Sequence, residues 1–68
     1  MRCKIINHVY KYRIDLKITQ EELAQKVGVS RQSIISIEKG RYVPSLILAM
    51  KIAKFFDSRV DEIFVLKK

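Results

Sequence analysis

Cysteine and histidine are nearly missing from this chain, with Cys3 and His8 the sole examples. One thiol excludes a disulfide framework. One thiol and one imidazole cannot build a Cys/His metal cluster within a chain. Glycine is scarce as well, with 2 residues, Gly28 and Gly40, that stand far apart. Isolated glycines exclude a glycine-rich phosphate loop. No apolar run approaches the roughly 20 residues of a membrane-spanning helix. Arg2, Lys4, Asn7 and His8 interrupt the start of the chain, where a secretory signal would be apolar. A cytoplasmic location is therefore expected. No metal, cofactor, small-molecule ligand or membrane partner is expected. No nucleophile stands with a base in a recognisable pattern, and a core this small hardly encloses a ligand pocket, so an enzyme is not expected.

What is present points elsewhere. Half of the chain (49%) is apolar, which argues against disorder. At 68 residues one domain is the ceiling, expected over residues 1–68. Its core is marginal, because a chain near 60 residues buries only about 60% of its unfolded surface. Lys and Arg number 14 against 7 Asp and Glu, a formal charge of +7 that favours a polyanionic partner. Charge alone does not separate nucleic acid from an anionic membrane surface or from plain solubility.

Residues 1–6 alternate loosely, a weak strand signal with Cys3 as a small strand residue. Val9, Tyr12 and Leu16 recur at helical spacing, and Asn7 is the expected cap of this first helix. Thr19 with Glu22 three residues later is a capping-box pattern, and Glu21 and Glu22 suit the positive end of a helix. Leu23, Ala24 and Val27 form the apolar face of this second helix, and Gly28 ends it. Ser30 caps a third helix whose apolar face is Ile34 and Ile37, and Gly40 stops it. The three-residue turn Gly28-Val29-Ser30 holds the two short helices at a steep angle, a helix-turn-helix over residues 20–39. Pro44 and Ser45 open a fourth helix. Between Leu46 and Phe56 nine of eleven residues are apolar, more than one face requires. Val60–Phe64 reads as a last helical turn, and residues 65–68 as a terminal extension.

The stretch QEELAQKVGVSRQSIISIEKGR, Gln20 to Arg41, resembles the lambda-repressor-like (Cro/CI, XRE) helix-turn-helix family. Asn7, Val9, Tyr12 and Arg13 fit that family's first helix. Pro44-Ser45-Leu46, Ala49, Lys51-Ile52-Ala53 and Asp61-Glu62-Ile63-Phe64 fit its fourth and fifth, so the resemblance spans residues 7–64. Ala24 is small where two helices cross, Gly28 sits at the turn, and Val29, Ile34 and Ile37 fill the seam. The resemblance implies an all-α, five-helix domain, with terminal segments able to pair as a short β ribbon within one chain or between two. It also implies sequence-specific binding of double-stranded DNA, usually as a dimer, by a transcriptional regulator such as a repressor. Lys17 departs from the family, which usually has Gly there, so the turn after the first helix is expected to be strained.

A helical wheel at about 100° per residue, with Ile34 and Ile37 inward, projects Gln32, Ser36 and Lys39 outward. Arg31 borders that line. Gln pairs bidentately with adenine and Arg with guanine, and the family reads bases from the start of this helix. Base contacts are therefore expected from Arg31, Gln32 and Ser36. Phosphate contacts are implied for Gln20, with Thr19, Ser33, Lys39 and Arg41 as further candidates. Ile35 is an apolar departure beside this line, suited to a thymine methyl or to packing on the loop around Tyr42. The family pattern also implies a partly buried Arg13–Glu38 ion pair joining the first helix to the third. His8, Tyr10 and Tyr42 read as ordinary surface residues. The surplus apolar surface of the fourth helix and Val60–Leu66 suggests a two-fold homodimer on a palindromic site. A protein-interaction module or antitoxin using the same fold is the competing reading.

Overall fold

The computed structural model describes residues 4–67. Seven elements follow in order: β1 (Lys4–Asn7), α1 (Val9–Asp15), α2 (Gln20–Val27), α3 (Arg31–Glu38), α4 (Leu46–Phe55), α5 (Val60–Ile63) and β2 (Phe64–Lys67). Five helices surround a core of Val9, Leu23, Val27, Ile34, Ile37, Ile52 and Ile63, each nearly or wholly buried. Ala24 is buried among them, and Val29 packs partly against the same cluster.

Local chemistry sets the helix starts. The Thr19 hydroxyl accepts from the Glu22 amide at 3.0 Å, and the Glu22 carboxylate accepts from the Thr19 amide at 2.8 Å. Ser30 and Ser45 cap α3 and α4 by accepting from the amides of Ser33 and Leu48. Four helix ends are closed by a left-handed residue: Lys17 (φ 58°), Gly28 (78°), Gly40 (75°) and Asp57 (53°). After α3 the Gly40 amide donates to the Ile37 carbonyl and the Arg41 amide to the Ser36 carbonyl, the paired bonds of a Schellman motif. The same pair follows α1, where the Lys17 amide reaches Ile14 and the Ile18 amide reaches Arg13. Gly28 and Gly40 adopt this backbone without steric cost, whereas Lys17 and Asp57 do so against their Cβ.

The start of the chain differs from the cap expected on sequence. Asn7 is not the N-cap of α1; that position is His8, whose side chain makes no capping bond. Asn7 is instead the last residue of β1, where it pairs with Phe64. Its side chain does two jobs from there: the carboxamide oxygen accepts from the Val9 amide at 3.3 Å, and the nitrogen donates to the Ile37 carbonyl at 2.8 Å. A cap from one residue further back leaves the backbone free to enter the ribbon. Leu16, which continues the helical spacing of Val9 and Tyr12, lies just past the end of α1 at Asp15 and is 51% exposed.

The terminal segments pair antiparallel within one chain, Ile5 opposite Leu66 and Ile6 opposite Val65. A lone two-stranded ribbon is marginal in water, and Lys4 opposite Lys67 adds like-charge repulsion. The ribbon is held by the helices: the His8 amide donates to the Ile63 carbonyl at 2.8 Å, and Asn7 reaches α3. Cys3, expected in this strand, lies outside the described residues.

Lys17→Gly should raise stability by about 0.5–1 kcal/mol. Relief of left-handed strain, roughly 1–2 kcal/mol, outweighs glycine's extra chain entropy of about 0.5–1 kcal/mol. A urea midpoint that stays put or falls contradicts the strain assigned to this turn.

Candidate nucleic-acid interface

The interface is built on α3 from behind. Ile34 is fully buried and Ile37 is 1% exposed, so both anchor the helix against the core. Their spacing turns the opposite side outward. Arg31 and Gln32 are exposed there, Ser36 is partly exposed, and Lys39 and Arg41 follow, both exposed, at the C-terminal end of α3. The Gln32 carboxamide rests on the Ser36 hydroxyl at 3.4 Å, a weak contact that a stronger acceptor easily replaces. The Arg31 side chain is exposed and makes no hydrogen bond or ion pair among the described residues. Ile35, suited on sequence either to a thymine methyl or to packing on the loop around Tyr42, is half-buried.

A buried ionic network locks α3 to the rest of the domain. Arg13 Nε donates to Glu38 Oε2 at 2.7 Å and Arg13 Nη2 to Glu38 Oε1 at 3.1 Å, a bidentate pair. The two side chains are only 9% and 6% exposed. Arg13 Nη1 also donates to the Ile18 carbonyl at 2.9 Å, which fixes the α1–α2 turn. The hydrogen bond that Arg13 donates to Glu38 raises the Arg13 pKa above its ordinary value against the pull of burial, so the guanidinium stays charged. Tyr10 shields the same group, its ring centroid 5.3 Å from the guanidinium carbon. Such a pair contributes little net stability over an apolar pair, but losing one partner strands a buried charge.

The phosphate candidates fall in two places. Thr19 spends its hydroxyl on the capping box. Gln20 opens α2 half-buried, with its carboxamide nitrogen donating to Glu38 Oε1 at 3.1 Å. That bond uses one of two N–H groups and leaves the other for an external acceptor. Ser33 faces the N-cap, its hydroxyl 3.1 Å from that of Ser30. Gln20 thus borders α3 on the Glu38 side, while Ser33 borders it on the other. The Gln20–Glu38 and Asn7–Ile37 bonds are not evident from sequence. Both link residues 18 or more positions apart, and no local spacing announces them.

A family model described as helix-turn-helix matches residues 9–63 of the chain. The chain is 58% identical over 59 residues to an uncharacterized HTH-type transcriptional regulator of Methanocaldococcus jannaschii, covering 87% of this chain and 89% of that protein. It is 45% identical over 62 residues to the uncharacterized HTH-type transcriptional regulator YgzD of Bacillus subtilis, covering 91% and 94%. Among solved structures it is similar to the restriction-modification controller protein C.AhdI from Aeromonas hydrophila. That likeness has a TM-score of 0.74 and 28% identity, over 79% of this chain and 82% of that one.

Arg13→Ala should cost about 3–5 kcal/mol, because Glu38 is left charged and buried. That is a large part of the roughly 3–10 kcal/mol expected for a domain this size. Replacing both partners with Met should cost clearly less. Equal losses in chemical denaturation would show that the pair is not the source of the penalty.

Proposed function

We propose that this chain, which belongs to the lambda-repressor-like helix-turn-helix family, is a transcriptional regulator that reads double-stranded DNA with α3 in the major groove. One observation carries this reading: Gln32 and Ser36 lie on the side of α3 opposite the buried Ile34 and Ile37, with the exposed Arg31 at the border of that side. Arg31 and Gln32 have the hydrogen-bonding patterns that select guanine and adenine. Ser36 supplies a shorter donor or acceptor one turn on. Gln20, Ser33, Lys39 and Arg41 hold the phosphates and set register. Thr19 supports them indirectly by capping α2.

The reading extends to a homodimer. Leu46 is 72% exposed, Ile47 69% and Met50 54% on α4, and Val43 in the loop before it is 64% exposed, together an apolar patch. Beside it, Ile5, Val43, Pro44, Ala49 and Phe64 line an apolar groove. Knob and groove together suit a self-complementary two-fold contact. Two recognition helices related by that axis would read a palindromic site, with half-sites about one DNA turn apart.

In sedimentation the chain should run at twice its mass, alone and on duplex DNA recovered from a random pool. Affinity should fall with salt by about 0.9 in log K per decade for each phosphate neutralised. Gln32→Ala should flatten sequence preference at one base pair while retaining nonspecific binding. A monomer at high micromolar concentration contradicts the dimer, and a flat salt response or no duplex binding at low salt contradicts the DNA reading.

A further inference from the structure

The end of α3 closes itself by local bonds. The Gly40 amide donates to the Ile37 carbonyl at 3.0 Å and the Arg41 amide to the Ser36 carbonyl at 2.9 Å. These bonds stop the helix without outside help. Yet the Ile37 carbonyl takes a second donor, the Asn7 side-chain nitrogen at 2.8 Å, from 30 positions away. A carbonyl oxygen has two lone pairs, so both bonds coexist. The Asn7 bond is therefore not needed to form α3 or to end it. It acts on where the helix lies.

Asn7 is anchored for that task. Its backbone forms the last pair of the ribbon, opposite Phe64. Directly beyond that pair the His8 amide donates to the carbonyl of Ile63, a wholly buried residue. The Asn7 carboxamide oxygen is taken by the Val9 amide, which leaves the nitrogen as the end that meets α3. The other tether at this turn differs in kind. Arg13 holds Glu38 by its carboxylate, at the far end of a flexible side chain. Asn7 grips the backbone of α3 itself.

We propose that Asn7 is a positioning residue for DNA recognition: by holding the Ile37 carbonyl it fixes the last turn of α3 against the ribbon, so that the base-reading side keeps its place in the groove. The inference rests on α3 reading bases in the major groove. It makes the ribbon, which carries no base-reading residue, part of the recognition machinery. Base and phosphate contacts differ in tolerance. A bidentate pair to a base edge demands placement within about 0.5 Å. Lys39 and Arg41, on long side chains, follow a phosphate through a shift of that size. Loss of the Asn7 clamp therefore costs selectivity more than it costs binding.

The test compares full-length variants on the duplex that the parent selects from a random pool and on an unrelated duplex. Asn7→Thr suits the strand and keeps an acceptor for the Val9 amide, but its hydroxyl stops one bond short of the Asn7 nitrogen. Asn7→Asp keeps the size and the acceptor and, when ionised, has no proton to donate. Phe56→Leu is the control, since it lowers stability from the core at the end of α4. All are measured well below their thermal midpoints. Both Asn7 variants should lower the ratio of selected to unrelated affinity about three- to tenfold. Phe56→Leu should leave that ratio at the parent value, because a stability loss alone does not change how the folded chain chooses bases. A parent-like ratio in the Asn7 variants overturns the inference, as does an equal fall in the control. Failure of both Asn7 variants to fold also overturns it, since Asn7 is then needed for the fold and not for placement alone. A parent chain that selects no duplex overturns the major-groove reading itself, and the Asn7 inference with it.

Discussion

The burial of Ile34 and Ile37 is the constraint from which the rest of the interface follows. Two side chains three positions apart, both within 1% of complete burial, leave α3 one possible rotation about its axis. Each removes apolar surface worth about 1.5–3 kcal/mol from water, so any roll of the helix is opposed by several kcal/mol. With rotation fixed, the outward placement of Arg31, Gln32 and Ser36 needs no further explanation. Their orientation is a consequence of packing on the far side.

Rotation alone does not fix where the helix sits along its axis or how it tilts. Those are set by polar contacts at its two ends. At the N-terminal end Ser30 caps the helix. Toward the C-terminal end Glu38 receives Arg13 from α1 and Gln20 from α2, and the Ile37 carbonyl receives Asn7 from the ribbon. Three separate elements therefore converge on one turn of α3. A buried carboxylate held by three hydrogen bonds tolerates little displacement, because stretching any of them exposes an unmet charge in a poorly solvated site. The ionic network thus acts on geometry more than on net stability. It keeps a helix of eight residues, too short to persist alone, at a fixed angle to its neighbours.

Much of this was legible in the chain itself. The capping signals at Thr19, Ser30 and Ser45, the left-handed glycines and the Ile34–Ile37 spacing are local, and local chemistry decided those elements. Lys17 was legible too, as a side chain where a glycine would be easier. The misplaced cap at Asn7 shows where local reading ends. Asn7 sits where a helix start and a strand end compete, and strand pairing with Phe64, far along the chain, decided between them. Leu16 continues the helical spacing of Val9 and Tyr12, yet the helix stops just short of it and leaves it exposed. Of the candidate site, the outward line of α3 could be drawn from periodicity alone. The engagement of Gln20 by Glu38, and the bond from Asn7 to Ile37, could not. Each depends on how separate helices and loops meet.

The central claim is that α3 meets DNA with its polar edge while its apolar edge stays seated. Following backbone amide and isoleucine methyl resonances of the chain during titration with duplex DNA tests this most directly. The account predicts large shifts at Arg31, Gln32, Ser33 and Ser36, with the Ile34 and Ile37 methyls nearly still. Shifts confined to α4 and the ribbon, with α3 unmoved, would contradict it.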